Sequence, residues 1–194
     1  MKTLPLLALA LGLAGCAEDT GDGAVLGSLF VPACEDGRPL DRTCPVTEDP
    51  RTCEVFDLEA DFFAVEPYGD GALLRIQRGG RILALTDALV LEISDYRLLR
   101  GQLGKRVPVG QDRNIRGALG LFHRCPDSTQ SYAVSGLVQF DAFGVHKGDR
   151  VNGSFDLEVR DGRSDTGASR VLGVLHGDFD FIVRKGPPYQ PFAE

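Results

Sequence analysis

Five stretches of this chain follow one pattern, φ-x-G-x-φ-x-φ with φ apolar: VLGSLFV (25–31), IRGALGL (115–121), VSGLVQF (134–140), VNGSFDL (151–157) and LHGDFDF (175–181). An apolar period of two marks a β-strand with one buried face, because successive side chains point to opposite sides. In the fourth stretch Val151, Phe155, Leu157 and Val159 share a face, and Asn152, Ser154, Asp156 and Glu158 share the other. In the fifth, Leu175, Phe179, Phe181 and Val183 stand opposite His176, Asp178 and Asp180. One dry face and one wet face is the arrangement of antiparallel sheets. Each time, the glycine falls on the apolar face. Glycine weakens a strand interior, so its repeated inward placement needs a cause: sharp curvature, a bulge, or a slot where a facing Phe covers bare backbone. The pattern predicts a curved sheet that folds over itself.

The connections agree with this reading. GDRVNG and RDGRSDTGASR are turn sequences rich in Gly, Asp and Ser. Gly79-Gly80 lies between two apolar runs in LLRIQRGGRILAL and predicts a two-residue hairpin. DALVLEIS (87–94) reads as a further strand. Only SDYRLLRGQLG (94–104) reads as helix, with Ser94 as its cap and Gly104 as its end. Gly101 inside it keeps that helix short. The chain of 194 residues is 43% hydrophobic, enough for one domain whose core is aliphatic and Phe-rich, since Trp is absent. The expected fold is all-β: a single domain of about nine to ten mostly antiparallel strands forming a curved sandwich or barrel, with one short helix near 94–104. The tail KGPPYQPFAE (185–194) is too rich in proline for a central strand and is expected to lie extended on the surface.

The first fifteen residues read as a targeting segment. Lys2 supplies a positive start, and Leu4 to Leu13 is an apolar run of about ten residues, where a membrane span needs roughly twenty. The run ends in Leu13-Ala14-Gly15-Cys16, which resembles the lipobox of bacterial envelope lipoproteins at all four positions. This resemblance covers under a tenth of the chain. It implies cleavage before Cys16, a thioether-linked diacylglycerol on its sulfur and an acylated amino group. The alternative is a plain secretory signal with a chance cysteine. Two or three acyl chains anchor durably, because each buried CH₂ contributes about 0.8 kcal/mol and one chain alone is marginal. The residue after the cysteine is Ala17 rather than Asp, and the resemblance then implies the outer rather than the inner membrane. AEDTGDG (17–23) reads as an acidic flexible tether of at most about 25 Å, at roughly 3.5 Å per residue. The expected organisation is therefore signal peptide (1–15), tether (16–23), β-domain (24–184) and tail (185–194).

Export places the other thiols in an oxidising compartment. With Cys16 acylated, Cys34, Cys44, Cys53 and Cys125 remain, and four cysteines allow three pairings. Cys44 with Cys53 closes a short loop through PVTEDPRT and leaves Cys34 for Cys125. This is the preferred pairing, and the sequence leaves it open. A zinc site is the alternative, but the spacings contain no C-x2-C ligand knuckle.

Candidate chemistry is sparse. His176, Asp178 and Asp180 occupy alternate positions on one wet face, with Asp156 and Glu158 on the preceding strand. Imidazole and carboxylates spaced this way suit a divalent cation if the strands pair in register; the plainer reading is a solvated polar face. Arg75, Arg78 and Arg81 surround the Gly79-Gly80 turn as a candidate anion site, or as the exposed side of a hairpin. His123 and Cys125 in FHRCPD are about 6 to 7 Å apart on an extended chain, too far for a nucleophile and its base. No G-x-S-x-G, P-loop, G-x-G-x-x-G or H-E-x-x-H occurs. The net charge of −7 argues against a nucleic-acid partner and for a surface held away from anionic lipid. The leading expectation is a non-enzymatic, lipid-anchored β-domain without cofactor that binds or scaffolds a protein partner in the envelope. The alternatives are a carrier holding an apolar ligand inside a barrel and, more distantly, a hydrolase.

Overall fold

Each of the five glycine-bearing stretches contributes to a strand, and the strands pair so that glycines stand beside bulky neighbours. A computed structural model of the chain describes residues 21–29, 56–79, 86–122, 131–161 and 170–183. The elements are β1 (Gly21–Leu29), β2 (Phe56–Asp57), β3 (Phe62–Tyr68), β4 (Gly71–Gln77), β5 (Asp87–Ile93), α1 (Tyr96–Arg100), β6 (Arg106–Val109), β7 (Ile115–Leu121), β8 (Ser131–Ala142), β9 (Arg150–Asp161) and β10 (Arg170–Ile182). They form one ten-stranded sheet in the order β2-β1-β10-β9-β8-β6-β7-β5-β4-β3, with β7 also paired to β8. The sheet curls into a half-barrel with one short helix, so the expected all-β, curved architecture is the observed one.

Antiparallel register carries the apolar faces into continuous rows. Leu74, Leu91, Gly117, Val134, Val159 and Gly173 lie opposite one another from β4 through to β10. Val151, Phe155, Leu157 and Val159 of β9 are buried, as are Leu175, Phe179, Phe181 and Val183 around β10. Removing a Leu or Phe side chain from water stabilises by about 1.5–3 kcal/mol, and this inner face supplies most such residues.

The two ends of the sheet are joined by chain rather than by a ladder. β2 and β3 stand at opposite ends of the strand order, yet only residues 58–61 separate them. The Leu58 N–H donates to the Val25 carbonyl (3.0 Å) and the Asp61 N–H to the Gln77 carbonyl (3.1 Å), so this link reaches from β1 to β4. Its side chain Leu58 is fully buried. Across the same gap the rings of Phe63 on β3 and Phe181 on β10 are 5.8 Å apart. The curl is thereby closed over an apolar interior.

The motif glycines let this curvature exist. A Cβ on Gly177 would stand 2.7 Å from Phe155 Cζ and one on Gly153 2.8 Å from Phe179 Cζ, with neighbouring-strand carbonyls closer still. Gly136 adds a conformational requirement: its φ of +146° is one that L side chains rarely adopt, and Leu157 Cα lies 2.9 Å from where its Cβ would be. The inward glycines therefore mark places where rings cover bare backbone and strands approach too closely for any side chain.

Three expectations need correction. The turn at Gly79-Gly80 is not the expected two-residue one: β4 pairs antiparallel with β5, the next strand described, but Gln77 lies opposite Ala88. The β4–β5 connection therefore runs over residues 78–86. The helix is capped by Asp95, not Ser94, and closes at Gly101 rather than Gly104. Strand β1 begins at Gly21, so Gly21–Gly23 belong to the sheet rather than to the expected 16–23 tether. The signal peptide, Cys16, the four other cysteines, Arg81, His123 and the 185–194 tail lie outside the described residues.

Candidate functional site

The outer face of β8, β9 and β10 gathers the charged side chains that alternation directs away from the core. Register places His176 beside Asp156, Asp178 beside Ser154, and Asp180 beside Asn152. The two strands thus bring together the residues expected to share a wet face. What they do not make is a ligand set. Among the described residues, no group of three His, Cys, Asp or Glu side chains is placed to hold a metal ion.

The reason lies in three arginines. Arg150 at the start of β9 grips Asp180 with two guanidinium hydrogen bonds, the Nε bond being 2.8 Å. Those bonds hold the Asp180 carboxyl below its ordinary value and raise the Arg150 guanidinium. Arg106 on β6 reaches over β8 to Asp156 on β9, at 3.1 Å. Arg160 pairs with Glu158 on its own strand and donates through Nε to Ser135 Oγ on β8 at 2.9 Å. Three of the four carboxylates considered on β9 and β10 are therefore engaged by cations. A carboxylate already bonded to a guanidinium would have to give up that partner to bind a metal. Alternation along β9 marks Arg150 and Arg160 as outward, a signal available in the sequence. Arg106 arrives from a strand that no spacing connects to β9.

The anion candidate also separates. Arg75 is buried on β4, its guanidinium 3.4 Å from Gln77 Oε1, whereas Arg78 lies past the end of the strand and pairs with Glu59 at 2.8 Å.

The remaining histidine among the described residues, His146, is exposed in the β8–β9 connection, where its backbone N–H donates to Asp149 Oδ2 at 2.9 Å. Inside the half-barrel the space is occupied by side chains. Phe140, Phe179, Leu74, Leu91 and Ile115 are each fully buried. The rings of Phe140 and Phe179 are 5.5 Å apart, with Phe143 edge-on to Phe140 at 5.2 Å.

The arrangement presents a polar, arginine-laced outer face over a filled core. No family model, curated protein or solved structure matches this chain.

Proposed function

We propose that this chain is a lipid-anchored lipoprotein of the bacterial envelope whose β-domain binds or scaffolds a protein partner without catalysing a reaction. The observation that carries the reading is the spacing at the N-terminus. Cys16 ends Leu13-Ala14-Gly15-Cys16, and strand β1 begins at Gly21. Four residues thus separate the acylated cysteine from the sheet, a reach of about 14 Å when extended at roughly 3.5 Å per residue. The domain sits against the membrane rather than on a stalk. Ala17 places it on the outer membrane, and Cys34–Cys125 with Cys44–Cys53 is the proposed disulfide pattern. The ion-paired face of β9 and β10 is the surface offered to a partner, because it gathers exposed charged side chains on neighbouring strands.

Feeding cells a labelled fatty acid tests the anchor. Wild-type chain should carry the label and Cys16→Ser should not; equal labelling of the two would refute the proposal.

A further inference from the structure

Backbone ladders hold the sheet together from β2 round to β3, and the curl then brings β3 up to β1. Among the described residues no strand pairing joins β1 to β3. Side chains fill the seam instead. The Phe63 ring lies against the bare backbone of Gly23, where a Cβ would stand 2.8 Å from its Cε1, and 5.8 Å from the Phe181 ring. Parting two paired strands breaks a row of hydrogen bonds and leaves their backbone groups to be satisfied anew. Parting β1 from β3 separates rings and breaks the bond from Leu58 N–H to the Val25 carbonyl.

The 58–61 link that crosses this seam is strained. Glu59 has a φ of +53°, the one positive value at a non-glycine residue among the described residues. An L side chain stays in that left-handed region only when its surroundings hold it there. Three contacts do so: Asp57 Oδ1 accepts from the Glu59 N–H at 2.8 Å, the Glu59 carboxylate pairs with Arg78 at 2.8 Å, and Asp61 Oδ1 accepts from the Gly79 N–H. All three are exposed, where such contacts are weak. Leu58, by contrast, is fully buried, and its side chain leaves the core only if the link lifts. Segments held by exposed bonds are the ones that open locally, at less cost than the whole fold.

We propose that the seam between β1 and β3 opens as a unit while the rest of the sheet stays folded, the 58–61 link lifting as Glu59 leaves its left-handed conformation. The shut and open forms then present different surfaces. Shut, Leu58, Phe63 and Phe181 are buried. Open, they stand uncovered beside the facing edges of two strands, the kind of surface to which another chain adds a strand. Such opening is independent of the lipid anchor.

Native-state thiol labelling of the full chain tests the opening. Val25→Cys on β1 and Val65→Cys on β3 place buried sulfurs at the seam, and Val134→Cys on β8 is the reference. Alkylation by iodoacetamide is read at each position by peptide mass, over urea concentrations below the global transition. Positions 25 and 65 should react at least about tenfold faster than position 134 and with little dependence on urea, because local opening exposes little surface. Ile115→Val, in the buried face of β7, weakens the fold as a whole. It should speed position 134 by about two- to tenfold and leave positions 25 and 65 unchanged. Arg78→Ala should speed positions 25 and 65 by about two- to fivefold. Adding Glu59→Gly to that chain should slow them again, since glycine takes such a φ without strain. If positions 25 and 65 react no faster than position 134, with the same urea dependence and the same response to Ile115→Val, the seam opens only when the domain unfolds and the proposal fails. Should a cysteine variant not fold, hydrogen exchange of the unsubstituted chain decides. The Leu58 amide should exchange ahead of the Leu89 and Leu119 amides, and equal protection of the three would overturn the opening.

Discussion

The ring of Phe179 on β10 lies across the backbone of Gly153 on β9: a Cβ at Gly153 would stand 2.8 Å from Phe179 Cζ and closer still to the carbonyl oxygen of Gln139 on β8. Side chain and bare backbone are thus two halves of one contact. Gly153→Ala should destabilise by about 1–3 kcal/mol, the usual cost of forcing an extra methyl into a packed core. Gly101→Ala is the contrast. Its φ of −73° suits any residue, and its added Cβ would meet only the Leu98 carbonyl at 3.4 Å. That variant should stabilise by about 0.4–1 kcal/mol through the unfolded chain. Urea midpoints for both decide whether the inward glycines are structural slots.

Phe179 itself is fully buried and touches the rings of Phe140, Phe155 and Phe181. Phe179→Ala is expected to cost about 3–5 kcal/mol in equilibrium unfolding. A near-neutral result would mean that the faces of β10 are reversed.

At the helix, Asp95 Oδ1 accepts from Arg97 N–H at 2.8 Å and Leu98 N–H at 3.0 Å. Asp95→Ala should lower stability by about 0.5–2 kcal/mol, whereas Ser94→Ala should change little. The reverse order in thermal melts would restore Ser94 as the cap.

The Arg150–Asp180 pair makes a pH prediction. Hydrogen bonds from Arg150 hold the Asp180 carboxyl below its ordinary value of about 4. The folded state therefore binds this proton less readily than the unfolded state. The contribution is present above about pH 4 and is lost as the pH falls through the folded value. Stability measured from neutral to strongly acidic pH should fall less steeply in Asp180→Asn than in wild type. The pair is exposed, so the difference should be small and should shrink with added salt.

Much of this fold is legible in the chain because the alternation is local. Val151 to Val159 and Leu175 to Val183 declare their buried face without reference to any other residue, and their glycines announce curvature. Pairing partners are not local. Nothing in LLRIQRGGRILAL reveals that Gln77 of β4 will lie opposite Ala88 of β5, so the two glycines suggest a tighter turn than the register gives. The cap was obscured in a similar way. Asn114, 19 residues on, holds both candidates: its backbone carbonyl accepts from the Ser94 N–H, while its side-chain Oδ1 accepts from the Asp95 N–H and its Nδ2 donates to the Asp95 carbonyl, fixing the backbone that starts the helix. Alternation also put His176, Asp178 and Asp180 on one outer face correctly. That Asp180 is committed to Arg150 depends on register between β9 and β10, which periodicity does not encode.

The lipid anchor is the central claim, and the N-terminal peptide of the mature protein addresses it most directly. Tandem mass spectrometry of chain purified from envelopes should find a peptide beginning at Cys16, with diacylglycerol on its sulfur and an acyl group on its amine. A mature peptide that begins elsewhere, or begins at Cys16 with an unmodified thiol, would contradict the account.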